Sequence, residues 1–147
     1  MKILVINGPN LNFLGIRDRE IYGKMSYDGL LSMLYRHGDE MGCDIECFQS
    51  NHEGEIIDRI QKAYFDGTDG IVINPGAYAH YSYAIRDALD SFHTMPKIEI
   101  HISDIASRDE FRRISVTAPV CDTMISGEGL EGYIRAMDEI VVLKENY

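Results

Sequence analysis

Two histidines stand where apolar runs end: His80 follows Asn74-Pro75-Gly76-Ala77-Tyr78-Ala79, and His101 leads into Ile102-Ser103. Taken singly, each reads as an ordinary surface or core residue. Brought together beside Asn74 and Ser103, two imidazoles can hold a ligand's hydroxyls and pass protons near neutral pH. A second group, Arg17, Arg19 and Tyr22, lies in a polar stretch of its own. A phenol ionises at about pH 10 in water, so a tyrosine serves as a base only where one or two close guanidinium groups stabilise its phenolate. Arg108 and Arg112, four residues apart, would share a face of a helical turn. There they either pair with acids such as Asp109 and Glu110 or bind an anionic or polyhydroxylated ligand. Ser103, with its own backbone N–H and that of Ile102, can receive a carboxylate.

Other chemistries lack their residues. No HExxH or CxxC occurs, and the five histidines form no dense cluster with Cys or acidic residues, so no metal site is expected. Neither GxxxxGK[ST] nor GxGxxG is present, which argues against ATP and dinucleotides. Lys2 and Lys97 begin strands and Lys62 and Lys144 fall on helices, leaving a Schiff-base lysine poorly supported. The net charge of -10 opposes nucleic acid and anionic membranes as partners. Residues 8–24 and 101–113 together carry +1, however, so the acidity lies outside the segments that hold the arginines. No run approaches the roughly 20 apolar residues of a membrane span, no secretory leader is evident, and Cys43, Cys47 and Cys121 suggest buried thiols. A cytoplasmic protein is expected.

The elements that must position these residues follow from periodicity. Strands are expected over Lys2 to Asn7, Cys43 to Gln49, Gly70 to Asn74, Lys97 to Ile102 and Val120 to Ser126. Between them run four apolar stripes at helical spacing, beginning at Tyr27, Ile56, Tyr81 and Leu130. Gly42 suits a left-handed end to the first helix, and Asn51 a cap to the second. Alternating strands and helices predict a three-layer α/β flavodoxin-like fold, with a five-stranded parallel sheet in the order 2-1-3-4-5 and helices on both faces. Residues 1–147 should form a single catalytic domain. The 18-residue link Gly8 to Met25 far exceeds the usual length of about 2 to 6 and suggests a lid. Ligands in such sheets sit beyond the carboxyl ends of the strands, so the loops after strands 1, 3 and 4 should share one crevice.

The blocks Ile6-Asn7-Gly8-Pro9-Asn10-Leu11-Asn12, Glu20-Ile21-Tyr22-Gly23, Phe48-Gln49-Ser50-Asn51-His52-Glu53-Gly54, Asn74-Pro75-Gly76-Ala77-Tyr78, Arg86-Asp87-Ala88-Leu89 and Glu110-Phe111-Arg112 occur in one order along the chain. In that order and spacing the chain resembles the type II 3-dehydroquinate dehydratases, or type II dehydroquinases. The resemblance implies reversible dehydration of 3-dehydroquinate to 3-dehydroshikimate without metal or organic cofactor, by trimers assembled into dodecamers. It implies Tyr22 as proton acceptor with Arg17 beside it, Asn12 orienting a water, and His101 as proton donor steadied by Glu99. Asn74, His80, Ile102, Ser103 and Arg112 match substrate-binding positions, and Asp87 one that reaches a neighbouring subunit's site. Asp104 departs from the commoner Asn, adding a negative charge beside the carboxylate site unless it points away or pairs with Arg108. A rival reading of fold and crevice alone is a noncatalytic module for a flavin or another small anion.

Overall fold

The run Lys2–Asn7 forms strand β1, whose side chains alternate between two cores. Ile3 and Val5 join a cluster with Leu30, Leu34, Tyr133 and Met137, whereas Leu4 and Ile6 join one with Ile56, Ile60, Ile85 and Leu89. A strand covered on both faces therefore reads as one unbroken apolar run, and each fully buried Ile or Leu contributes about 1.5–3 kcal/mol.

The computed structural model describes residues 1–147. Strands β2 (Asp44–Gln49), β3 (Gly70–Asn74), β4 (Lys97–His101) and β5 (Thr123–Ser126) complete a parallel sheet in the order β2-β1-β3-β4-β5, as expected. Helices α2 (Tyr27–Met41) and α5 (Glu131–Lys144) cover one face, and α3 (Glu53–Ala63) and α4 (Tyr83–Asp90) the other. A short helix, α1 (Arg19–Tyr22), lies in the long link after β1. No helix is long and apolar enough to cross a membrane.

Local chemistry sets the boundaries. Ser26 caps α2 by accepting from the Gly29 amide at 3.1 Å, and Gly42 ends it in the left-handed conformation, φ 70°. Asn51 does not cap α3. His52 precedes that helix, while the Asn51 side chain accepts instead from the Asn10 amide at 3.0 Å and so ties the loop after β1 to the loop after β2. The fifth strand begins at Thr123 rather than Val120, because Ala118–Val120 form a 3-10 turn around Pro119. Arg108 and Arg112 do not share one helical turn: separate 3-10 turns occupy Ile105–Ser107 and Glu110–Arg112.

Strand order reverses between β1 and β3, where Asn7 and Asn74 stand in register. The two chains approach closely just beyond. The Gly8 amide donates to the Asn74 carbonyl at 2.8 Å, and a Cβ at Gly8 would come within 2.5 Å of the Pro75 carbonyl oxygen. Glycine is required there by space.

Candidate active site

Beyond the carboxyl ends of β1, β3 and β4 lies a cavity of about 100 Å³. Asn74, His80, His101, Ile102 and Ser103 line it from the sheet side, and Arg17, Tyr22, Arg108 and Arg112 from the loops. Its polar lining and three arginines suit a small anionic molecule.

Tyr22, at the end of α1, receives two charge-assisted hydrogen bonds on its hydroxyl oxygen. Arg17 Nη2 donates at 3.1 Å and Arg108 Nη1 at 2.7 Å. Both guanidinium carbons also lie against the ring, 4.1 and 5.4 Å from its centroid. Two cationic donors on one phenol oxygen stabilise negative charge there. Arg108 Nη1 also lies 3.3 Å from Ser103 Oγ, so a single side chain links the loop after β1 to the loop after β4. Arg19 plays a different part: its Nε donates to the Gly15 carbonyl at 3.0 Å and braces the loop itself.

His101 closes β4 with its ring nearly buried. Nε2 donates to Glu99 Oε2 at 2.8 Å, and Glu99 is fully buried two residues back on the same strand. Because a carboxylate only accepts, Nε2 carries a hydrogen and Nδ1 remains for a ligand. The His80 ring stacks 6.2 Å away. Its Nδ1 donates to the Ile114 carbonyl at 2.9 Å. Partial burial is the main cause that holds the His80 pKa below the usual imidazole value, and the charges of His101 and Arg112 act in the same direction. His80 thus presents an acceptor nitrogen to the cavity.

Asn74 has its amide orientation set from behind. Its Nδ2 donates to the hydroxyl of Tyr133 at 2.9 Å and its Oδ1 accepts from the Gly76 amide at 3.1 Å. Tyr133 in turn donates to Asn7 Oδ1 at 2.6 Å.

Three sequence candidates stand outside the cavity lining. Glu99 lies behind His101. Asn12 is exposed, 3.5 Å from Gln49 Nε2, and lines a separate depression with Gly15, Lys24 and Tyr27. Asp87 is exposed on α4. Asp104 turns to its own backbone: Oδ1 accepts from the Ala106 amide at 3.1 Å, and Arg108 is engaged by Tyr22 and Ser103. Sequence reasoning left Arg108 between a surface pair and a ligand site, and read Tyr133 only as part of an apolar stripe. No three His, Cys, Asp or Glu side chains gather as metal ligands would.

The family described as "Dehydroquinase class II" matches residues 1–141. A 3-dehydroquinate dehydratase of Lachnoclostridium phytofermentans is 64% identical over 141 residues, which span 96% of this chain and 97% of that protein. One from Lachnospira eligens is 59% identical over 143 residues, 97% of each chain. The crystal structure of a type II dehydroquinase from Butyrivibrio crossotus superposes with a TM-score of 0.95 at 62% identity, covering 96% of this chain and 97% of that one. With the match spanning nearly its whole length, the chain belongs to the class II dehydroquinase family.

Proposed function

We propose that Tyr22 and His101 divide the acid–base work of the family's reaction, the reversible dehydration of 3-dehydroquinate to 3-dehydroshikimate. The chain is a hydro-lyase for that substrate. What supports this assignment most is that Tyr22, with two arginines on its hydroxyl, and His101, backed by a buried carboxylate, line one cavity. As a phenolate the one side chain accepts a proton, and as an imidazolium the other donates one.

The proton to be removed, on C2, adjoins the C3 ketone, so its loss gives an enolate. The Tyr22 phenolate takes it, with Arg17 and Arg108 holding that oxygen's charge before transfer. The resemblance assigns Asn12 to orient a water toward the enolate oxygen, from a position outside the cavity lining. His101 protonates the C1 hydroxyl through Nδ1; the C1–O bond breaks, water leaves, and the enolate electrons form the C1–C2 double bond. Glu99 offsets the imidazolium charge. The Ser103 hydroxyl and the backbone N–H groups of Ile102 and Ser103 receive the substrate carboxylate, while Asn74, His80 and Arg112 hold the ring hydroxyls.

Residues 1–147 act as a single catalytic domain in the cytoplasm, without metal or organic cofactor. Trimers assemble into dodecamers, in which the exposed Asp87 reaches the site of an adjacent subunit. Mixing enzyme with 3-dehydroquinate and following the ultraviolet absorbance of the conjugated product tests the reaction, and no rise at micromolar enzyme would refute it. Sedimentation at monomer mass would refute the assembly.

A further inference from the structure

The segment Ile114–Thr117, between the arginine-bearing turns and β5, touches His80 and the Glu99 carboxylate that holds His101, and lines no part of the cavity. Its backbone is fastened at two points: the Val116 amide donates to the Ala79 carbonyl at 2.7 Å, and Arg86 Nη1 donates to the Val116 carbonyl at 3.2 Å. The Ile114 carbonyl, two residues earlier, is the acceptor that sets the hydrogen of His80 on Nδ1.

The two hydroxyls of this segment converge on Glu99. Ser115 Oγ donates to Oε2 at 2.6 Å, and Thr117 Oγ1 donates to Oε1. Ser115 Oγ also accepts from the Ala118 amide at 3.0 Å, which leaves its one hydrogen for the carboxylate. Glu99 is wholly inaccessible to solvent, as is Thr117. A carboxylate in such surroundings is tolerable only when its oxygens are bonded, and here three donors serve it: His101, Ser115 and Thr117. With both hydroxyls present, each carboxylate oxygen is held, and Oε2 has one defined direction toward the His101 ring.

From this arrangement we infer that Ser115 and Thr117 are positioning residues for the acid step. They hold Glu99 so that it in turn orients His101 and favours the imidazolium form that protonates the leaving hydroxyl through Nδ1. The inference rests on the assignment of His101 as that acid. The same segment couples Arg86, on α4, to the site without contact with substrate.

Thr117→Val removes the hydroxyl at nearly constant shape, Ser115→Ala removes the other, and Thr117→Ser keeps a donor. Steady-state kinetics on folded enzyme should show kcat lower by roughly tenfold in each of the first two, with KM within about twofold and Thr117→Ser close to the parent, the low end of the roughly 10- to 100-fold by which outer hydrogen-bond partners typically matter, since both act through Glu99. A purely structural role would lower melting temperature and leave kcat per folded enzyme unchanged; that result overturns the inference. So does an equal loss in Thr117→Ser and Thr117→Val. If Thr117→Val does not fold, Ser115→Ala decides by the same criteria. His101→Ala, assayed in parallel, separates the two levels: full activity there refutes His101 as the acid, whereas an inactive His101→Ala beside unimpaired Ser115 and Thr117 variants refutes only their part.

Discussion

Arg108 and Tyr22, 86 residues apart in sequence, meet with a guanidinium nitrogen 2.7 Å from the phenol oxygen. This is the shorter of the two cationic contacts on that oxygen. Charge-assisted hydrogen bonds contribute about 1.5–3 kcal/mol, so Arg108→Gln should lower kcat by roughly 10- to 150-fold. The arginine is engaged before substrate arrives, and KM should change less than kcat. Stopped-flow and steady-state absorbance would check both. A rise in KM with kcat unchanged would make Arg108 a substrate clamp.

Tyr22→Phe keeps the ring beneath both guanidinium groups and deletes only the oxygen. Turnover should fall by roughly 10²–10⁴-fold, the usual worth of a general base. Calorimetric titration with substrate should still detect binding close to that of the parent, and retained turnover would move the base elsewhere.

The Tyr133 hydroxyl serves two amides at once, Asn74 and Asn7, with no solvent access. Tyr133→Phe strands both, at about 1–3 kcal/mol for a buried polar group without its partner. Urea unfolding should show that loss. The Asn74 amide then keeps only its Gly76 contact, so KM should rise in the same variant, and a change in neither quantity would sever the link from α5 to the cavity.

Asp104→Asn should be nearly silent, with KM within about twofold of the parent. The side chain caps its own 3-10 turn by accepting from Ala106, and asparagine caps as well as aspartate. A marked fall in KM would show that the aspartate charge does act on the substrate carboxylate.

Burial pushes the Cys47 thiol from 9.0 up to about 11 and the Tyr27 phenol from 10.0 up to about 12. Between pH 9 and 12 the unfolded chain therefore sheds protons that the native protein keeps. The associated stability is fully present below pH 9 and is lost as pH rises through this range. Urea midpoints taken from pH 8 upward should decline accordingly, and Cys47→Ala should make the decline shallower.

β1 and β3 are legible in the sequence residue for residue, because a strand buried on both faces is an uninterrupted apolar run and needs no knowledge of its partners. β5 is less so. Val120 and Cys121 extend its apolar pattern, yet Pro119 bends that stretch into a 3-10 turn. Asn51 has the composition of a helix cap and precedes a helix, but the Asn10 amide competes for its oxygen from 41 residues away. Arg108 shows the same limit at the site: Asp109 and Glu110 are its neighbours in sequence, and only the fold brings Tyr22 closer. Ser115, Thr117 and Tyr133 carry no signal in spacing, since each acts through a partner 16 to 126 residues away.

The two reacting side chains belong to parts of the molecule with different local stabilities. His101 ends a strand whose five residues are all buried, whereas no residue between Leu14 and Leu30 is buried and α1 is a single turn. Few apolar contacts hold that turn, so opening it costs far less than unfolding the sheet. Amide hydrogens of residues 19–23 should therefore exchange with solvent deuterium orders of magnitude faster than those of Ile98 and Ile100. At moderate urea the enzyme should lose its base, and with it activity, while its circular dichroism stays native.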